Sequence, residues 1–430
     1  MKVNWHRLKK EANRIQASKF SKNSLLLIGG TAISQLIPIG ISPLLTRIYT
    51  PKEFGVLALF VSIAKIISVF STGRYEPAIV LPKKDKEALN LMAISLLFSA
   101  VISLVVGMIV FVFQTEILSL LNVQSMGGWL LCIAPAAFLM SVVQVFYYWL
   151  TRKKAFSSMS FGKVFQAASA GGVQLGGYNG GLIAGNVVGQ FIIAAKYFVS
   201  SFQAIKLLPN SVSKKGIKEN MVRYKNFPLV SSIHRFFDLL QSNVLVSVIS
   251  SLFSSAVLGF YSMTTRTLLA PAALVGSAVG NVFYQKAAEL YQSKVPLGPL
   301  VKKILLILSL LGIVGFGILF IAAESVFSIA FGDEWVVCAT YTRVLAPWLL
   351  LNFISSPISG LVNILGKQKK FFIISAIGNT IAVLLFLVVG TVVGEIFWSL
   401  LVFSAVMTVY TVVYVVTIYS TIIASDKAIL

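Results

Sequence analysis

The sequence predicts an all-α fold of membrane-spanning helices. Of its 430 residues, 57% are hydrophobic and only 12% are charged, whereas roughly a quarter of the residues in a soluble domain are charged. Apolar runs of roughly 20 residues, long enough to cross a bilayer, recur from Leu25 to Ser420. Barrel strands would alternate over about ten residues, so such continuous runs predict helices.

We predict twelve spans, numbered in chain order. Their predicted bounds are 25–48, 55–80, 89–113, 128–150, 160–178, 182–204, 229–250, 254–284, 301–323, 337–363, 371–391 and 396–419. Of the 36 Lys and Arg residues, 28 fall in the two tails and in alternate connections, with Lys163 counted in the connection 151–163. The opposite connections hold only Arg47 and Lys52. By the positive-inside rule, both termini are cytoplasmic.

The longest connection, 205–228, is basic and lies near the middle of the chain. An offset of 204 residues superposes Leu25 on Leu229 and Gly55 on Gly259. We therefore predict two six-helix lobes related as a parallel repeat, about an axis normal to the membrane. The predicted segments are a basic tail 1–24, an N-lobe 25–204, a cytoplasmic linker 205–228, a C-lobe 229–420 and a tail 421–430.

Composition and spacing exclude several classes of function. The formal net charge is +22, but the basic residues are scattered between spans, which does not favour nucleic acid as a partner. Cys132 and Cys338 lie far apart without CxxC spacing, so neither a disulfide framework nor a metal or cofactor site is predicted. A polysaccharide polymerase or ligase would need a catalytic constellation outside the membrane, and connections 114–127 and 324–336 contain no histidine.

Charged residues inside the spans are the main functional signal. A charge at the centre of the bilayer costs at least about 2.5 to 3.5 kcal/mol, so each needs a partner, water or a function. Two are acidic, Glu76 and Asp238, and six are basic: Lys65, Lys196, Arg74, Arg235, Arg266 and Arg343. The excess of positive charge predicts an anionic ligand or water within the membrane.

The basic residues differ in their predicted depth in the membrane, and this depth ranks them as candidates for binding an anion. Arg266 lies about twelve residues into its span with no acidic residue within four positions. It is therefore the strongest candidate for binding an anion, because its planar fork matches phosphate oxygens. Lys65 is also near the midplane, and on a continuous helix it would share one face with Ser62, Ser68, Thr72 and Glu76. That face would line a cavity, unless Lys65 extends toward the interface.

The other charged residues allow two interpretations each. Arg235 either lines the cavity or pairs with Asp238 three residues later. Arg74 and Arg343 either bind the anion or anchor their spans at the interfaces. Glu76 and Asp238 serve either ion coupling or charge pairing.

Span 1 carries helix-bending residues instead of charges. Pro38, Gly40 and Pro43 lie within its apolar run. Such residues provide a hinge for alternating access or allow close packing of neighbouring helices.

Several strings resemble a known family, the polysaccharide flippases of the multidrug/oligosaccharidyl-lipid/polysaccharide exporter superfamily, of the O-antigen and capsule type. The two most specific strings run from Leu45 to Gly55 and from Gly73 to Pro82. Weaker similarities are Asn226-Phe227-Pro228 with His234-Arg235-Phe236, Gly259-Phe260-Tyr261 with Arg266, Leu345-Ala346-Pro347-Trp348, and Asn363-Ile364-Leu365-Gly366-Lys367-Gln368.

The resemblance implies two lobes around a cationic cavity that opens alternately to each side. It implies a bacterial inner-membrane flippase for an undecaprenyl-diphosphate-linked oligosaccharide, with the polymerase and glycosyltransferases of the same pathway as expected partners. Coupling to an ion would depend on Glu76 and Asp238. The alternative within the superfamily is a drug/cation antiporter, which would need carboxylates in the cavity.

Overall fold

A computed structural model describes residues 29–231, 235, 239 and 243–429. Every regular element in these residues is helical, which confirms the all-α prediction. In the first half, the α-helices are α1 (29–48), α2 (Pro51–Ser71), α3 (Asp85–Val112), α4 (Gln114–Leu120), α5 (Ile133–Arg152), α6 (Phe156–Gln174), α7 (Gly181–Ser200), α8 (Phe202–Ser211) and α9 (Lys214–Arg223). In the second half, they are α10 (Leu245–Leu252), α11 (Ser255–Gln292), α12 (Gly298–Phe331), α13 (Val337–Ser355), α14 (Leu361–Ile364), α15 (Gln368–Val393) and α16 (Ile396–Ile429).

Eight helical segments within the described part of the chain are long and apolar enough to cross a membrane. They are Pro51–Ser71, Asp85–Val112, Gln124–Arg152, Gly181–Ser200, Gly298–Phe331, Asp333–Ile364, Gln368–Val393 and Ile396–Lys427. The protein is therefore a multi-pass membrane protein. Helix α6, which corresponds to predicted span 5, is not among the eight because Lys163 and several Ser and Gln residues make it more polar.

The prediction of one continuous helix through span 2 is wrong. Helix α2 ends at Ser71, and a separate 3-10 helix covers Glu76–Val80. Gly73 and Arg74 adopt left-handed backbone angles, with φ of 60° and 57°. A left-handed residue cannot continue a right-handed helix, so the predicted common face ends before Thr72.

Predicted span 10 lies within one helical segment, Asp333–Ile364, which contains a 3-10 portion. Helix α13 ends at Ser355, and a 3-10 helix with Pro357 near its start covers Ser356–Gly360 before α14 begins. Proline has no N–H to donate and fits the first turn of a helix, which explains a new helical start here.

The two halves of the chain touch where α2 crosses α11. A methyl group added to Gly55 would overlap the carbonyl oxygen of Ser255, and one added to Gly259 would overlap that of Pro51. The offset of 204 residues aligns position 55 with position 259, and it also aligns position 51 with position 255. The two contacts are therefore equivalent under the proposed repeat. The backbones approach this closely because both positions lack a Cβ atom.

Aromatic side chains surround this crossing. The ring of Trp335 lies 5.1 Å from Phe54 of α2 and 5.8 Å from Phe260 of α11, both edge to face. Leu45, Phe327 and Phe331 belong to the same buried cluster. We call this end of the molecule, where the two halves are packed together, the closed end.

Candidate functional site

A polar cavity is lined mainly by residues of the first half of the chain, and Arg266 is its lining residue from the second half. Its volume is about 490 Å³, and helices α1, α6, α7 and α11 supply its polar wall. The polar lining residues are Thr31, Ser34, Gln35, Lys163, Gln166, Gln174, Asn186 and Arg266. A cavity with this lining can hold a polar ligand, because its side chains offer hydrogen-bond donors and acceptors.

Arg266 enters this cavity from α11. It lies seven residues beyond Gly259, or about 10 Å along the helix. Its Nη2 donates a hydrogen bond to the carbonyl oxygen of Pro38 in α1, at 2.9 Å. Among the described residues, no carboxylate forms an ion pair with it. Arg266 is thus a half-buried cation with a main-chain partner and, within the described part of the chain, no carboxylate that pairs with it.

Lys163 is a second cation in the same cavity, in contrast to its predicted place in a connection. It was counted as a connection charge, but it lies within α6, where its Nζ donates to the Thr31 hydroxyl at 3.1 Å. Its Nζ also lies 5.7 Å from the centre of the Tyr147 ring. The low hydropathy of predicted span 5 was the available signal, since a polar span in a hydrophobic protein tends to face a cavity.

Lys65 and Arg235 form a second cationic group. Lys65 is exposed on α2, about 15 Å along the helix from Gly55, and its positive charge is repelled by that of Arg235. Beside Lys65, the Ser62 hydroxyl donates to the carbonyl oxygen of Asn243, which joins α2 to the second half of the chain.

Two tyrosines of α5 lie between these cationic groups. The rings of Tyr147 and Tyr148 are 5.8 Å apart. Tyr147 neighbours Lys163, while Tyr148 lies within electrostatic range of Arg235 and of Glu76.

Arg74 and Glu76 pair with each other. Their Nη1 and Oε1 atoms are 2.9 Å apart, and Glu76 is completely buried. The Thr72 hydroxyl donates to the other carboxylate oxygen at 2.6 Å. The carboxylate therefore has a partner on each oxygen, and it stabilises the turn after α2.

Arg343 also has a carboxylate partner. Its Nη1 lies 2.7 Å from Oε1 of Glu324, and both side chains are exposed. Its Nε donates to the carbonyl oxygen of Phe320. The structure therefore places Arg343 against α12 and not among the residues that line the polar cavity.

The structure does not test the roles predicted for the remaining residues. Helix α1 runs unbroken through Pro38, Gly40 and Pro43, so the proposed hinge stays a prediction. Asp238 and His234 lie outside the described residues. Over the part of the chain that the structure describes, no cluster of three or more His, Cys, Asp or Glu residues could hold a metal ion.

Solved structures of membrane transporters share this fold. A lipid II flippase, MurJ, in an inward closed conformation is 11% identical, with a TM-score of 0.65 over 95% of this chain and 89% of that chain. A MATE family multidrug resistance transporter of the MOP superfamily, in an inward-facing conformation, is 15% identical, with a TM-score of 0.59 over 93% and 95%. At these identities the similarity shows the fold alone.

The sequence itself matches one family. No curated protein matches the chain, but residues 44–340 match the family described as "Polysaccharide biosynthesis protein". The match covers more than half of the chain and includes α2, α6 and Arg266. The chain therefore belongs to the polysaccharide biosynthesis protein family.

Proposed function

We propose that the protein is a flippase that moves an undecaprenyl-diphosphate-linked oligosaccharide from the inner to the outer leaflet of the bacterial inner membrane. The observation that carries this proposal is Arg266. It lines a polar cavity, and its partner is the weak, neutral carbonyl of Pro38. A diphosphate would provide charged acceptors for the same N–H groups, and charge-assisted bonds are the stronger ones.

The distribution of charge around the cavity supports an anionic cargo. Arg266 and Lys163 line it, and no Asp or Glu is among its lining residues. Lys65 and Arg235 add positive charge nearby and repel each other. A diphosphate would replace this repulsion by attraction and would allow the charge to pass through a medium that otherwise excludes it.

For the architecture we propose twelve spans in two six-helix lobes, 25–204 and 229–420, with both termini cytoplasmic. Two observations support this arrangement: the equivalent backbone contacts at Gly55 and Gly259, and the Lys and Arg content of alternate connections. Tags in connections 83–87, 151–155 and 366–370 should report the cytoplasm, and tags in 114–127 and 324–336 the outside. One inverted connection would contradict the arrangement.

In this orientation the closed end faces the outside. In the proposed cycle the closed end opens: Gly55 moves away from Gly259, and the aromatic cluster around Trp335 comes apart. The opposite end then closes behind the substrate. Bending of α1 at Pro38, Gly40 and Pro43 would also move the carbonyl that Arg266 contacts. The movement that opens the outer side would thereby change the contacts of the phosphate ligand.

The drug/cation antiporter is the alternative that shares this fold. A cationic drug needs a free carboxylate in the cavity, but no Asp or Glu is among its lining residues, and Glu76 is already paired with Arg74. The positive lining would repel such a drug.

A transport assay tests the proposal directly. We expect deletion of the gene to leave lipid-linked repeat units in the cytoplasmic leaflet, while the purified full chain in proteoliposomes transfers the same labelled lipid between leaflets without a covalent change. An Arg343→Gln variant, altered outside the cavity, is the matched control and should transfer normally. Export of a cationic dye without transfer of the lipid would overturn the proposal in favour of an antiporter.

A further inference from the structure

One side of the polar cavity carries neutral amides instead of charges. Gln35 of α1, Gln166 of α6 and Asn186 of α7 line it. The Oδ1 atom of Asn186 is buried and accepts no hydrogen bond, and the side chains of Gln35 and Gln166 bond to no other described residue. Three amides in one cavity therefore have hydrogen-bonding capacity that the described fold does not use.

Anion binding does not explain these amides. Phosphate oxygens accept hydrogen bonds, so Arg266 and Lys163 suit them, but the free oxygen of Asn186 needs a donor. A ligand that satisfies all these groups must both donate and accept. Sugar hydroxyl groups do both, whereas a lipid tail does neither.

Fixed contacts hold the wall that carries Asn186. The Gln174 side chain donates from Nε2 to the carbonyl oxygen of Leu182 at 3.0 Å, which joins the end of α6 to the start of α7. The Tyr49 hydroxyl donates to the carbonyl oxygen of Gln174 at 2.6 Å. At Gly185 an added methyl group would meet Gln174, so α7 packs directly on α6 beside Asn186. A wall held in this way presents its amide in one orientation, as a selective binding site requires.

We propose that this amide-lined part of the cavity, formed by Gln35, Gln166 and Asn186, is a binding site for the sugar nearest to the diphosphate. The inference rests on the proposed function, because it takes the diphosphate to be held by Arg266 in the same cavity. The first sugar is bonded to the second phosphate, so it must lie beside that phosphate. Lys163, which donates to Thr31 and lines the same cavity, contacts the charged non-bridging oxygens of the diphosphate.

The site divides recognition between two parts of one ligand. Arg266 and Lys163 bind the part that every lipid-linked substrate shares, and the amides bind the part that differs between sugars. Removing an amide should therefore change selectivity for the glycan and not affinity for the carrier lipid.

The test compares two lipids on the purified full chain in nanodiscs. One probe is undecaprenyl diphosphate without sugar, and the other is the lipid-linked oligosaccharide that accumulates in the deletion strain. Asn186→Leu and Gln166→Leu should each bind the glycosylated lipid about fivefold more weakly, the effect of about one lost hydrogen bond, and the bare lipid as tightly as the wild type. Arg266→Lys should weaken both.

Asn379→Leu is the matched control. Asn379 of α15 also has a buried Oδ1 atom without a partner, but it lies outside the polar cavity, so this variant should bind both lipids normally. Equal weakening toward both probes, or none, for Asn186→Leu and Gln166→Leu would overturn the sugar site and leave the flippase proposal intact. A wild-type protein that binds neither probe would instead refute the flippase proposal itself.

Discussion

Arg266 and Arg74 are both arginines of a hydrophobic protein, yet their surroundings differ. Arg74 lies in the turn after α2, where the fully buried Glu76 neutralises it at 2.9 Å. Arg266 lies in the polar cavity and donates to the Pro38 carbonyl. The difference shows that a charge within the membrane is not by itself a binding site. An arginine with its own carboxylate stabilises the fold, whereas one with a neutral partner can exchange it for a charged ligand.

Substitutions at Arg266 provide the strongest test of this comparison. Because a charge-assisted bond contributes about 1.5–3 kcal/mol, Arg266→Ala should lower export at least about tenfold. Arg266→Lys should restore part of the activity, since the charge remains but the fork is lost, and Arg266→Glu should be inactive. Export is measured beside membrane level and protease resistance, both of which should stay at wild-type values. Wild-type export by Arg266→Ala would refute the role, and Lys65 would become the next candidate.

Substitutions in the Arg74–Glu76 pair should lower the stability of the fold, whereas those at Arg266 should lower export. Glu76→Ala leaves a half-buried cation without its partner and should lower the free energy of unfolding by about 3–5 kcal/mol. The double variant Arg74→Met/Glu76→Leu removes both charges and should recover most of the loss, although the left-handed angle at Arg74 keeps some strain. Thermal unfolding in detergent measures both effects.

One outcome would contradict the distinction between Arg74 as a structural residue and Arg266 as a binding residue. If Glu76→Ala unfolds like the wild type but abolishes export, the carboxylate takes part in transport, as ion coupling would require. The two arginines would then belong to one functional site.

A smaller effect should appear in the reactivity of a cysteine within the cavity. With Cys132 and Cys338 replaced by Ala, Gln35→Cys should react a few-fold faster with an anionic thiol reagent than with a cationic one of similar size, because Arg266 and Lys163 lie nearby. Adding Arg266→Gln should reduce this preference. Equal rates for both reagents before that addition would mean that the cavity is not electropositive.

Sequence patterns predicted the helical class correctly, but they did not predict the contacts between helices, for identifiable reasons. The offset of 204 residues aligned Gly55 with Gly259 as equivalent positions of a repeat but predicted no contact between them, and only the structure brings these glycines into the same crossing. The common face of α2 failed beyond Ser71, because Gly73 and Arg74 take left-handed angles that helical periodicity cannot anticipate. Lys163 was missed because it lies close to a predicted boundary, where a charge is usually interfacial.

The sequence by itself determined the membrane environment, the helical class and the excess of positive charge within the spans. These properties follow from composition and from the length of apolar runs, which need no knowledge of contacts between helices. Only the tertiary structure decided which cations have carboxylate partners: Glu76 for Arg74, Glu324 for Arg343, and for Arg266 a carbonyl group. Pairing depends on distances of a few ångströms between atoms that can be hundreds of residues apart in the chain, such as Arg266 and Pro38. Local spacing does not encode such distances.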